Sequence, residues 1–162
     1  MSNARHKNEF SWVGSQSHYV DEIDVCQIQN VTVGRFGGNS TAGQYKNEDA
    51  CLVWTNEKED WEFVVLLDAH QSAESAELVV SEVNSLKGAI QNNLTLPIKQ
   101  AFEQTAETLL TTFDSPHFKE ACQKIQGGNS GFMRGPEREV SLVVIHRGLS
   151  SLSVPSGTES VE

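Results

Sequence analysis

The sequence has few basic residues for its length. Its 162 residues include 12 Lys and Arg against 22 Asp and Glu, which gives a formal net charge of −10. This balance excludes the broad basic surface that binds nucleic acid or an anionic membrane, and it is compatible with cation binding. We therefore expect no nucleic-acid partner and no membrane partner.

Long hydrophobic runs are also missing. No stretch approaches the roughly 20 apolar residues of a membrane-spanning helix, and the first ten residues, MSNARHKNEF, lack the apolar centre of a secretory signal peptide. These absences predict a cytoplasmic protein. The three cysteines, Cys26, Cys51 and Cys122, match neither a CxxC pair nor a disulfide framework, which favours reduced, buried thiols.

The length fits one domain with a hydrophobic core. Residues 1–20 are polar with scattered aromatics and predict an extended N-terminal arm. Residues 21–127 contain the regularly patterned segments and predict the domain itself. A glycine-rich linker is predicted at residues 127–131. Residues 128–162 form an atypical tail with one strand-like run over residues 140–145 and a serine-rich end that we expect to be disordered from residue 148.

Two short strand patterns flank a polar turn in the first half of the chain. Residues 50–55 and 61–67 are apolar and rich in side chains that favour β-structure, and the five residues between them are polar. This arrangement predicts an antiparallel hairpin. Glu48 and Asp49 precede the first strand and Asp68 follows the second, so we expect all three carboxylates at one end of the hairpin.

Other periodic segments predict the elements around this hairpin. Alternating apolar residues between 22 and 33 predict a further strand or a bent strand pair, with a glycine-rich loop after it. Apolar residues at three- and four-residue spacing then predict three helices. We expect Ser72 or Ser75 to cap the first helix, Pro97 to open the second, and Ser115-Pro116 to start the third.

The carboxylates at the hairpin end are the best candidates for chemistry. Mg²⁺ and Mn²⁺ prefer oxygen ligands and take one or two carboxylates directly, so Asp68 is the first candidate ligand, with Glu48 and Asp49 beside it. The alternative is that Asp68 caps the helix that follows. His70 is a candidate proton donor to a leaving group, because imidazole exchanges protons near neutrality, and its alternative is a surface loop histidine.

Two cations lie near this acidic segment in the sequence. Lys46 and Arg35 are candidates to hold an anionic substrate group such as a phosphate, although such residues are more often simply solvated. The glycine-rich loop between them does not match a P-loop, because no Gly-Lys-Ser/Thr closes it.

The segment over residues 34–80 resembles the N-terminal part of the metal-dependent protein phosphatase 2C family. The resemblance is carried by GQYKNEDA at residues 43–50 and, after an apolar strand, by LDAH at residues 67–70, with a helix next. It implies an α/β sandwich of antiparallel sheets flanked by helices. It also implies that the protein hydrolyses phosphoserine or phosphothreonine in a phosphorylated protein, using a water that bridges two Mn²⁺ or Mg²⁺ ions.

The resemblance also implies roles for individual residues. Asp68 would bridge both ions, and the backbone carbonyl of Ala69 would complete one coordination shell. Glu48 would act directly or through water, with Asp49 beside it. His70 matches the position proposed to protonate the leaving alkoxide.

The chain departs from the family pattern at three places. Ala69 stands where the family has glycine, and a methyl group there is expected to crowd the metal. Gln44 or Lys46 stands near the place of the arginine that binds phosphate. No aspartate follows Asp114, although the second half of the family domain supplies further aspartates to the second metal. We therefore expect residues 21–127 to be a partial domain with weak or absent catalysis.

The end of the chain suggests an origin for these departures. A coding sequence for residues 128–154 can be written with permitted codons and read one nucleotide forward. The new reading frame can then encode strands that resemble the next strands of the family. This observation predicts a frameshift near residue 127 or 128. Loss of the second sheet would expose apolar faces, so we expect self-association. The alternative function is a non-catalytic pseudophosphatase module that binds a protein partner.

Overall fold

The computed structural model describes residues 8–69, 72–128, 140–147 and 150–156. Seven strands and four helices lie within these ranges, together with a short 3₁₀ turn at Ser40–Ala42. In chain order they are β1 (Glu9–Val13), β2 (Asp24–Ile28), β3 (Val31–Arg35), β4 (Ala50–Asn56), β5 (Trp61–Asp68), α1 (Glu74–Ser85), α2 (Lys87–Leu94), α3 (Ile98–Phe113), α4 (Pro116–Gly128), β6 (Val140–Arg147) and β7 (Ser150–Ser156).

β4 and β5 lie inside a five-stranded antiparallel sheet with the order β1-β4-β5-β6-β7. The predicted hairpin of β4 and β5 is confirmed, with Ala50 paired to Leu67 at one end and Asn56 paired to Trp61 at the other. β4 is buried on both faces, as its continuous apolar run requires, whereas β5 alternates between buried and more exposed residues. The sheet therefore has covered surface on both sides of β4.

The five-stranded sheet is covered by helices on one face and by a second sheet on the other. The helix-side core joins alternate residues of β4 and β5 to α1, α2 and α3. On the opposite face, Ile28 and Val33 of the predicted β2–β3 strand pair pack against Cys51 and Val53 of β4. The fold is thus a small α+β fold with two antiparallel sheets and, in the described ranges, four helices, consistent with the predicted α/β sandwich.

The N-terminal segment contributes a strand to the main sheet. β1 pairs with β4 along its whole length, from Glu9 opposite Trp54 to Val13 opposite Ala50. Trp12 and Val13 are buried. The arm predicted for residues 1–20 is therefore corrected over β1, because a five-residue segment is too short for its own pattern to reveal a partner some 40 residues away.

The first predicted helix is divided into α1 and α2 at Leu86. The Ser85 hydroxyl donates a 2.7 Å hydrogen bond to the carbonyl of Glu82, and the Leu86 N–H is shared between the carbonyls of Glu82 and Val83. Such local side-chain hydrogen bonding competes with the regular helical ladder. Gly88 lies inside the first turn of α2.

The predicted helix starts have mixed outcomes. No side chain caps α1, since Ala73 occupies the N-cap position and Ser75 lies inside the helix, so the serine-cap prediction is wrong. Pro97 precedes the second predicted helix, which starts at the next residue. The cap at Ser115 is confirmed, because its hydroxyl oxygen accepts a 3.2 Å hydrogen bond from the N–H of Phe118.

The serine-rich tail contains a strand. β6 confirms the strand predicted at residues 140–145 and pairs with β5 along its whole length. β7 pairs with β6 at the edge of the sheet, so the prediction of disorder is wrong for residues 150–156. Leu152 and Val154 alternate there with serines, and Pro155 is compatible with an edge strand because that position can do without a ladder donor.

Two further predictions concern the linker and the location. The linker predicted at residues 127–131 is helical as far as Gly128, and the rest of it lies outside the described residues. Among the helices of the described ranges, none combines the length and the apolar character that crossing a membrane requires. The cytoplasmic location stays a prediction.

Candidate functional site

The pairing of β4 with β5 brings Asp49 and Asp68 to the same end of the sheet. Ala50 pairs with Leu67 at this end, Asp49 directly precedes β4, and Asp68 is the last residue of β5. Leu67 belongs to the helix-side core, and side chains alternate between the faces of a strand, so Asp68 lies on the opposite face. Both aspartates are exposed.

This pair of carboxylates has the chemistry of a cation site. A divalent cation that lies between two carboxylates gains oxygen ligands from both. A cation site at Asp49 and Asp68 stays a prediction. In the described ranges, no group of three or more His, Cys, Asp or Glu side chains is arranged to hold a metal ion.

Three hydrogen bonds hold the acidic segment before β4 in place. The side-chain oxygen of Asn47, a residue only 6% exposed, accepts a 3.0 Å hydrogen bond from the N–H of Asp49. The N–H of Asn47 donates to Nδ1 of His18 at 3.1 Å, and the carbonyl of Asp49 accepts from the N–H of Gly14 at 2.8 Å. These three contacts fix the main chain that carries Asp49.

Gly14 also allows a close approach between two backbones. A Cβ atom there would lie 2.1 Å from the carbonyl oxygen of Asn47 and 2.4 Å from its carbonyl carbon. Any side chain larger than hydrogen would therefore push the acidic segment away from β1.

Glu48 has a different environment from Asp49. Its carboxylate forms an ion pair with the ammonium group of Lys46, and both side chains are partly exposed. The same ammonium group lies 5.8 Å from the centre of the Tyr45 ring. Phosphate binding by Lys46 would compete with this ion pair, whereas Gln44, the other predicted phosphate-binding residue, is exposed.

Arg35 has a structural role. Its Nε donates a 3.0 Å hydrogen bond to Asp24 across the β2–β3 pair. The guanidinium carbon lies 5.1, 5.5 and 4.6 Å from the ring centres of Phe10, Trp12 and Tyr19. The side chain is only 11% exposed. The suggestion that Arg35 holds a substrate phosphate is corrected, because this guanidinium fastens the hairpin to β1.

The side chain of Ala69 points away from the carboxylate pair. Ala69 is buried in the helix-side core, whereas Asp68 belongs to the opposite face. The expected crowding of the carbonyl's approach to a metal and the role of the Ala69 carbonyl both stay predictions. His70, the predicted proton donor, lies outside the described residues.

Two residues that position the acidic segment were not identified from the sequence. They are His18 and Gly14, to which the sequence motifs assign no role. The hydrogen bond from Asn47 to His18 spans 29 residues, and no local spacing rule predicts such a contact. The one available signal was a glycine directly after the aromatic segment that forms β1.

Comparisons of the chain with protein-family models, with curated proteins and with solved structures find no match. The phosphatase interpretation therefore rests on the two motifs in this sequence and on the placement of their carboxylates.

Proposed function

We propose that the chain is a partial metal-dependent protein serine/threonine phosphatase of the 2C type. The observation that carries this proposal is that Asp49 and Asp68, both exposed, directly flank the pair of Ala50 and Leu67 at one end of β4 and β5. Carboxylate oxygens are ligands that suit Mn²⁺ or Mg²⁺. The order of the two motifs along the chain supports the same proposal.

Each residue of the site has a defined task in this proposal. Asp68 and Asp49 would hold the cation, and the side-chain oxygen of Asn47, which accepts a hydrogen bond from the N–H of Asp49, keeps Asp49 in place. When bound, the cation supplies Lewis acidity towards the phosphoryl oxygens and activates water. Glu48 joins the site once Lys46 exchanges its carboxylate partner for the substrate phosphate.

Weak or absent activity is part of the proposal. Two opposed carboxylates provide ligands for one hard cation, whereas the family reaction uses two. Leu66 is exposed on the same face as Asp68, and apolar surface of this kind favours self-association. The substrate we propose is a phosphorylated protein.

A non-catalytic module that binds a protein partner is the second candidate. It is favoured by the ion pair between Lys46 and Glu48, which occupies a predicted phosphate ligand and a predicted metal ligand at once. A chain in which this ion pair stays formed would keep the fold of the domain but would not hydrolyse phosphate esters.

Turnover assays distinguish the two candidates. The purified chain and its Asp68→Asn variant are assayed with an aryl phosphate and with a phosphothreonine peptide, each in the presence and absence of Mn²⁺. Turnover that requires both Mn²⁺ and Asp68 would support the phosphatase. Mn²⁺ binding that requires Asp68 but gives no turnover would support the non-catalytic module, and the absence of both would reject the metal site.

A further inference from the structure

One end of the β2–β3 hairpin carries exposed apolar side chains. The inward side chains of the hairpin pack on the main sheet and include Cys26, Ile28, Val31 and Val33. On the outward side, the pair of Gln27 and Thr32 is polar, and the Thr32 hydroxyl donates a hydrogen bond to the side-chain oxygen of Gln27. Nearer the other end, Ile23 and Val25 are 72% and 62% exposed, and Phe36 is 47% exposed. Exposed apolar side chains that lie together are suited to a contact with another protein.

The outward apolar side chains form one continuous surface. Val25 pairs with Gly34 and Asp24 with Arg35, so the next step of the register places Ile23 opposite Phe36. Opposed residues in a strand pair share a face. A Cβ atom at Gly34 would meet no other atom within 4 Å, so the surface beside Val25 is open. We call Ile23, Val25 and Phe36 the outer hairpin patch.

The chain next to the outer hairpin patch is acidic. Asp21 and Glu22, both exposed, directly precede Ile23. Hydrogen bonds from Ser40 hold the pKa of the Asp21 carboxyl below its usual value, so this group is charged at neutral pH. Arg35 is the one basic residue among residues 21–36, and it is turned inward onto Asp24 and the aromatic rings.

We propose that the outer hairpin patch docks a segment of a partner protein that combines apolar side chains with lysine or arginine. The apolar side chains of this segment cover Ile23 and Val25, and its cations lie beside Asp21 and Glu22 and over the exposed ring of Phe36. A second copy of the chain is a poorer occupant of this patch, because a contact between two outer hairpin patches would bring Asp21 and Glu22 of both copies together. The proposal does not depend on phosphatase activity.

A synthetic peptide tests this surface directly. The probe is a fluorescein-labelled peptide of alternating lysine and valine, and its matched control has glutamate in place of lysine. Fluorescence anisotropy with the purified chain should show binding of the lysine peptide alone, and the affinity should fall as the salt concentration rises. Glu22→Gln should weaken binding less than removal of the apolar side chains.

Substitutions in the patch separate specific docking from general attraction between opposite charges. The double variant Ile23→Ser, Val25→Ser keeps every charge and should weaken binding at least about tenfold. Leu110→Ser is the matched control, because Leu110 is 69% exposed on α3, and it should bind like the wild type. All these positions are exposed, so circular dichroism should show the same fold in every variant.

Three results would overturn the proposal. The first is equal binding by the double variant and the wild type, and the second is equal binding of the lysine and glutamate peptides. The third is a dimer in sedimentation velocity that the double variant converts to a monomer, which would assign the patch to a second copy of the chain.

Discussion

The backbone N–H of Asn47 donates a 3.1 Å hydrogen bond to Nδ1 of His18. This contact joins the loop after β1 to the segment before β4. The side chain of Asn47 then accepts a hydrogen bond from the N–H of Asp49. The position of a candidate metal ligand therefore depends on neutral groups that have no part in the proposed chemistry.

Replacing Asn47 by alanine tests this dependence. The change removes the acceptor for the Asp49 N–H at a buried position, and we expect the free energy of unfolding to fall by about 1–2 kcal/mol. Mn²⁺ affinity should fall as well, because Asp49 loses its fixed position. Urea denaturation measures the first effect and titration calorimetry the second.

Asn56→Ala is the matched control for this prediction. The Asn56 side chain accepts hydrogen bonds from the N–H groups of Lys58 and Glu59, in the turn at the other end of the β4–β5 pair. Loss of the Asn56 side chain should lower the free energy of unfolding and leave the affinity for Mn²⁺ unchanged. Equal losses of affinity in the two variants would show that Asn47 has no special effect on the site.

Gly14→Ala should destabilise the fold through a backbone clash. The new Cβ would lie 2.1 Å from the carbonyl oxygen of Asn47. A backbone atom cannot relieve this clash by a change of rotamer, as a side-chain atom can. We expect the free energy of unfolding to fall by roughly 1–3 kcal/mol. Gly88→Ala, in a helix with open space around the new methyl group, should raise it by about 0.5–1 kcal/mol. Equal urea midpoints for the two variants would contradict this packing.

Stability should fall in alkaline solution because of Cys51. Burial raises the pKa of the Cys51 thiol from 9.0 to about 11, with Cys26 adding to the rise and Arg35 opposing it. The unfolded chain therefore loses this proton first as the pH rises. The contribution of the protonated thiol to the free energy of unfolding is complete below pH 9.0 and is lost as the pH rises to about 11. The free energy of unfolding changes by roughly 2–3 kcal/mol over this interval.

Denaturation at several pH values measures this contribution. Wild-type protein should lose stability steeply over that interval, and Cys51→Ala should lose less despite its lower stability at neutral pH. Parallel curves for the two proteins would show that Cys51 does not cause the alkaline loss.

The elements predicted correctly have strong local patterns. The β4–β5 pair, the stripes of α1 to α4 and the cap at Ser115 each follow from a few consecutive residues. The position of Asp49 and Asp68 at one end of the β4–β5 pair follows from the hairpin. β1 and β7 were missed as strands because their stability comes from pairing with distant segments. A short strand has too few residues for its own period to identify it.

The site was predicted less completely than the fold. Sequence spacing identified the carboxylates, because they follow directly from the ends of two strands. It did not identify Gly14 or His18, whose contacts with Asn47 depend on tertiary structure. It also suggested an anion-binding role for Arg35, since the aromatic rings around that guanidinium come from β1 and the loop after it.

Titration calorimetry with Mn²⁺ tests the central claim most directly. It compares the wild-type chain with Asp68→Asn and with Glu62→Gln, a charge-neutralising control at the other end of the same face of β5. The account predicts weak binding of one ion to the wild type and to Glu62→Gln, and its loss in Asp68→Asn. Unchanged binding in Asp68→Asn, or no binding to the wild type, would contradict a metal site at this end of the sheet.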